Sequence, residues 1–141
     1  MDGNRIMNGT FLEVWLDGIA LSGMTAFQAK VVKQKTEINV CGQMAVDTKT
    51  TGYKGTGSLS LHKIYSTFAE EAESLGTGID QRHTIVGKLA DPDAFGAERL
   101  AFYKVSLDEI TLMDAAANTP GKITTPFTYT RYEFLDKVVA A

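Results

Sequence analysis

"GYKGTGSLSLHK", Gly52 to Lys63, is the stretch that decides between two kinds of fold. Three glycines and two lysines fit a phosphate cradle at the start of a helix, and they equally fit chain running into a strand. A dinucleotide fingerprint needs G-x-G-x-x-G and a P-loop needs G-x-x-x-x-G-K-[ST], because those spacings bring backbone N–H groups onto an anion at a helix N-terminus. Here Gly52, Gly55 and Gly57 run in the reverse order, and the residues that follow, "SLSLH", alternate with period two. That alternation predicts a strand. It puts Leu59 and Leu61 on one face, toward a core, and Thr56, Ser58, Ser60 and His62 on the other. The glycines then serve chain geometry, permitting angles or close approaches that a Cβ would obstruct.

The same alternation recurs on both sides. In "TFLEVWLDGIAL" (10–21), Leu12, Val14 and Leu16 share one face and Phe11, Glu13 and Trp15 the other, with Asp17-Gly18 predicting a type I′ turn. Apolar bulk on the second face, at Phe11 and Trp15, suits a subunit contact better than a solvated sheet. "AFQAKVVKQKTEINVC" (26–41) reads as a second and a third strand. From Gly42 to Tyr53 periodicity is lost among threonines, glycines and charges, which predicts a loop of about twelve residues, a length that is usually functional or disordered.

Beyond His62, helical spacing of Ile64, Phe68, Ala72 and Leu75 predicts a helix over about 64–75, with Glu70, Glu71 and Glu73 on its solvated side and Gly76 at its end. "RHTIVGKLA" (82–90) is a strand, "DPDAFG" (91–96) a break, and "AERLAFYKVSLDEITLM" (97–113) two strands meeting near Ser106. "TPGKITTPFTYTRYEFL" (119–135) supplies the last, its Pro126 pointing to an edge or a bulge. The fold class is therefore mainly β, an antiparallel barrel or sandwich with one flanking helix, in a single domain spanning 1–141.

Composition excludes several function classes. At 141 residues and 44% hydrophobic content the chain can bury a core, its apolar runs are far too short to cross a bilayer, and "MDGNRIMNGT" has no apolar signal core, so a cytoplasmic protein is expected. A net charge of −3 without a basic block limits DNA to weak contact. Cys41 stands alone and forms no internal disulfide. Asp91, Asp93 and Glu98 lack the ligand ladder of a calcium loop, and His62 and His83 lack a third zinc ligand. Ser58 and Ser60 have no G-x-S-x-G elbow, and Cys41 has no neighbouring base. No catalytic, cofactor or metal residue is expected, and a binding or structural role outweighs catalysis.

Four ordered blocks carry a family resemblance: "NGTFLEVWLDG", "INVCG" followed by "TGYKGTGSLSLHK", "KLADPDAFGAER" and "PFTYTRYEFLD". Over nearly all of residues 8 to 136 the chain resembles the tail tube proteins of contractile-tailed phages and phage-derived particles, the PBSX-like prophage core tail protein in particular. The resemblance implies a β-barrel protomer whose hexameric rings stack into a hollow inner tube. It implies partners too: further copies of itself, a sheath protein, a tape-measure protein and baseplate or hub proteins, with DNA only transiently in the lumen, no membrane and no cofactor. It implies assembly in the bacterial host cytoplasm and a final place in the virion tail. Under it, residues 42–54, with Gly42, Asp47, Lys49, Gly52, Tyr53 and Lys54, become an assembly loop, and Thr56, Ser58, Ser60 and His62 face the lumen. Met1 to Met7 are expected to be a flexible lead, and Asp114 to Lys122 a variable run. A secreted Hcp-like tube or carrier of a bacterial injection system is the alternative within the fold, and a small ligand-binding β-barrel the alternative outside it.

Overall fold

The computed structural model describes residues 2–139. Eight strands form one sheet: β1 (Leu12–Leu16), β2 (Ile19–Ala20), β3 (Met24–Ile38), β4 (Asp47–His62), β5 (His83–Leu89), β6 (Glu98–Leu107), β7 (Lys122–Tyr129) and β8 (Arg131–Asp136). Their order is β2-β1-β5-β6-β7-β4-β3, with β8 paired to β6, and every pairing is antiparallel. The sheet curls back on itself, because the Phe27 ring of β3, the last strand in the order, stands 5.9 Å from Phe102 of β6 and against Gly87 of β5. Inside lie Val14, Leu59, Leu61, Ile85, Phe102, Val105, Ile123 and Phe127. A mainly antiparallel β fold wrapped on one core is the class that the period-two pattern predicts.

Asp17 (φ 51) and Gly18 (φ 83) both take left-handed angles between Leu16 and Ile19, which makes the predicted I′ turn. Pro126 sits on a central strand, paired with Ser58 of β4, and on the β6 side its carbonyl accepts the last bond, from Asp108 N–H (2.9 Å), where the paired register of β6 has already ended at Leu107. Its missing N–H is thus not missed. Residues 26–41 form one long strand and its end rather than two, and 97–113 give only β6 followed by irregular chain. Around Lys104 (φ 55) β6 leaves β8 after Tyr103, keeps β5 through Val105↔His83, and takes up β7 from Ser106.

The helix is shorter than expected, α1 covering Ala69–Ser74 and a 3-10 turn Leu75–Thr77. Lys63 N–H donates to the Gly121 carbonyl (2.8 Å), holding the chain outside the helix, and Ile64 and Leu75 are exposed despite their helical spacing. The left-handed stop is Gly78 (φ 77), not Gly76. Within the lead, Arg5 Nη1 donates to the Asp93 carbonyl (3.0 Å) and covers the Phe95 ring, and Asn8 N–H donates to Asp91 Oδ2 (2.9 Å), so 91–95 is where residues 2–8 lie; Met1 is outside the described residues.

Candidate assembly surfaces

Cross-strand register explains the glycines of the opening stretch. Gly55 and Gly57 on β4 lie opposite Tyr129 and Phe127 on β7. A Cβ on Gly57 would stand 2.6 Å from Phe127 Cζ and closer still to the Gln28 carbonyl, and one on Gly55 would enter the Tyr129 ring. Each aromatic ring therefore lies flat over a strand position that must be glycine. No phosphate is needed to account for them. The Tyr129 hydroxyl crosses the sheet to donate to the Lys30 carbonyl (2.7 Å); burial first, then the neighbouring Tyr132 and Tyr53, push its pKa up, which keeps it a donor.

Lys30 marks where the β3–β4 pair leaves the body. β7 ends beside Gly55, and from there the two strands run on as a free ribbon to Ile38↔Asp47, joined by the short tip 39–46. Every residue from 30 to 51 is exposed. The predicted loop over 42–53 is therefore corrected: Asp47, Lys49, Gly52, Tyr53 and Lys54 belong to β4, and only Gly42 (φ 86) lies in the turn. Periodicity fails there because neither face of the ribbon meets a core, so nothing selects alternation. The tip presents Val40, Met44 and Val46 to solvent, with the exposed Cys41 between them. At the root, Tyr53 meets Tyr132 edge-on at 6.3 Å.

Leu59 and Leu61 face the core as expected, with 0% and 2% exposure. On the opposite face Thr56 and Ser58 are half-buried and His62 is exposed. Ser60 departs from the expected wet wall: it is buried at 8%, its Oγ is 3.2 Å from Thr124 Oγ1, and its carbonyl accepts from the Thr25 hydroxyl. Phe11 lies in a 3-10 turn, Gly9–Phe11, before β1 rather than on it, and is exposed, while Trp15 on β1 is half-buried. These two sit toward the other end of the strand order from the arm.

One cluster was not legible. His83 Nδ1 is 2.7 Å from Asp17 Oδ2 and its Nε2 is 2.9 Å from Glu71 Oε2, tying the β1–β2 turn, α1 and β5 together. Burial lowers the imidazole pKa, but hydrogen bonds and charge from Asp17 and Glu71 outweigh it and hold the pKa above the ordinary value. Asp17 is also held, by Thr84 N–H, and despite burial its pKa falls. Glu71 is thus buried and paired, not on a solvated face. Only its sequence neighbours Glu70 and Glu73 hinted at this region, and a lone His83 carried no signal of its partners. Among the described residues no group of three or more His, Cys, Asp or Glu is arranged to hold a metal, and no helix is long and apolar enough to cross a membrane.

The chain thus has a body closed around its own core, a projecting two-stranded ribbon and a polar face on β3, β4 and β7. The family model for phage tail tube proteins matches residues 1–136, and the chain belongs to that family. It is 28% identical over 141 residues to the phage-like element PBSX protein XkdM of Bacillus subtilis strain 168, covering 98% of this chain and 96% of that protein. Its fold is similar to that of a chain in the structure of the anti-feeding prophage tube-terminating cap (TM-score 0.75, 10% identity, 97% of this chain and 95% of that one). It is also similar to a chain in the extended sheath–tube complex of the PVC extracellular contractile injection system (TM-score 0.70, 8% identity, 95% and 93%).

Proposed function

We propose that copies of this chain close into hexameric rings and stack into the inner tube of a contractile tail or phage-like particle. The arm of residues 30–54 is the stacking element, and the Thr56–Ser58–His62 face lines the lumen. The observation that carries the reading is the arm: a two-stranded ribbon alone is marginally stable in water, so a ribbon this long, exposed at every residue from 30 to 51, gains its stability against another copy. The fold likeness to a chain of a sheath–tube complex supports a sheath on the outside and a baseplate at one end. A tape-measure protein sets the length, and DNA passes only transiently. The rings are built in the host cytoplasm and end in the particle's tail.

The role is structural, without turnover of a substrate, as the tail tube family supports, and the stretch 52–57 binds no nucleotide, since the space over Gly55 and Gly57 is filled by the Tyr129 and Phe127 rings. Negative-stain microscopy of concentrated protein tests the assembly: rings and tubes are expected, and a protein that stays monomeric at all concentrations would end the reading. Rings that never stack would favour a secreted Hcp-like carrier. Saturable ATP or NAD binding by calorimetry at micromolar affinity would contradict the nucleotide statement.

A further inference from the structure

We propose that the polar face of β3, β4 and β7 is a weak binding surface for the phosphate backbone of DNA. The inference rests on the reading that this face lines the conduit, and goes beyond it by assigning the wall an attractive chemistry.

Charge is segregated in this chain. Its net charge is −3, yet β3, β4 and β7 carry six lysines and only two carboxylates, Glu37 and Asp47, both at the far end of the arm. Register places three of the lysines on the polar face. Lys30 is opposite Thr56, which shares that face with Ser58 and Ser60; Lys54 is opposite Val32, two positions along; Lys122 is opposite His62. All three lysines are exposed. Between Lys54 and Lys122 the face is rich in hydroxyls: Thr56 and Ser58 on β4, Thr124 and Thr128 on β7. One carboxylate approaches its edge, Asp108, which accepts from the Thr128 hydroxyl at 3.5 Å.

Lysines and hydroxyls with a single carboxylate at their margin attract phosphate, and because lysines outnumber the two groups on this face that could touch a base, Gln28 and His62, the attraction is mainly to the backbone and independent of sequence. An acidic polypeptide is the less fitting occupant, because apart from Ala26, Val32 and Pro126 this face offers no apolar side chain for a protein partner to anchor on. Lysines spaced along the sheet, each weak in its attraction and screened by salt, would guide a moving polyanion without arresting it.

Unassembled full-length protein is titrated into a short fluorescent DNA duplex at several salt concentrations, followed by anisotropy. Wild type is expected to bind at low salt with a steep fall in affinity as salt rises. The triple variant Lys30→Gln, Lys54→Gln, Lys122→Gln should lower the magnitude of the log–log salt slope by roughly 2 to 3, about 0.9 for each phosphate no longer neutralised. The control triple Lys33→Gln, Lys88→Gln, Lys104→Gln, whose Lys33 pairs with Tyr53 on the other face of the arm, should bind as wild type. Thermal unfolding confirms that both variants fold. Equal weakening in the two variants, no wild-type binding at low salt, or displacement of the duplex by polyglutamate at matched charge each overturns the DNA assignment. Microscopy of the same proteins separates this from the assembly: tubes that form from a protein without DNA binding refute only the phosphate surface.

Discussion

A single imidazole illustrates how a residue invisible in sequence becomes a structural tie. Both nitrogens of His83 face carboxylate oxygens, and a neutral imidazole has only one N–H to give, so the geometry is satisfied by the protonated ring. Because its folded pKa is raised, its contribution to stability is fully present below the ordinary imidazole value of about 6.5 and is lost as pH rises through the raised value. Asp17 has the opposite sign: its lowered pKa stabilises above the ordinary carboxylate value and is lost as pH falls through the folded one. Thermal midpoints of wild type should therefore be highest between these limits and fall on the alkaline side, whereas His83→Gln should be flat there. Parallel alkaline profiles would show that the ring contributes nothing by titration. At Gly57 the prediction is steric: Gly57→Ala drives a methyl into the Phe127 ring and the Gln28 carbonyl, and should cost roughly 1 to 3 kcal/mol in a denaturant titration, as overpacking does. Ser60→Ala, which removes a buried hydroxyl bonded to Thr124, should cost about 0.5 to 1.5 kcal/mol.

Strands that border the core were legible in the sequence, and elements that border nothing were not. Leu59 and Leu61, or Leu12, Val14 and Leu16, alternate because one face of each strand meets the interior. The outer half of β4 has no interior to meet, so "DTKTTGY" looks like a loop while its backbone continues the ladder with β3. The helix failed differently: Ile64 and Leu75 carry the right spacing but remain exposed, so periodicity overstated its length. On the polar face the residue types predicted the orientation of Thr56, Ser58 and His62, but Ser60 is closed over by Thr124, a strand neighbour that no local pattern reveals. Lys49 and Lys54 are paired strand residues and the tip 39–46 contains no lysine or arginine, which leaves little there for trypsin to cut. Cys41, exposed in that tip and the chain's only cysteine, is the probe of the tip's accessibility. A small maleimide should label it readily in unassembled protein and slowly in tubes. Equal rates in both would remove the tip from the interface.

At the scale of the whole molecule, folding and assembly are written on different parts of one sheet. The buried cluster draws on β1, β4, β5, β6, β7 and Phe68, with Phe27 and Ala29 of β3 packed against it, and takes nothing from the arm beyond Gly55 on β4 or Ala29 on β3. The arm adds backbone pairing but no core, so the free energy of folding should barely depend on it. Its exposed valines and methionine do nothing for the monomer and become useful only when another copy covers them. Replacing residues 36–49 by a two-residue Asn-Gly turn, which closes Lys35 onto Thr50 across an existing pair, keeps the register and removes the tip. That variant should unfold within a few degrees of wild type, since a surface change away from core, cap or charge network is worth roughly 0.5 kcal/mol or less. It should also fail to form tubes at concentrations where wild type does, while any ring contacts made by the body survive as single rings. A milder change, Met44→Asp with Val46→Asp, puts charge on the tip without shortening it and should give the same separation. Tubes of normal length from both variants would mean that stacking is carried by the body of the protomer, and that the arm has another task.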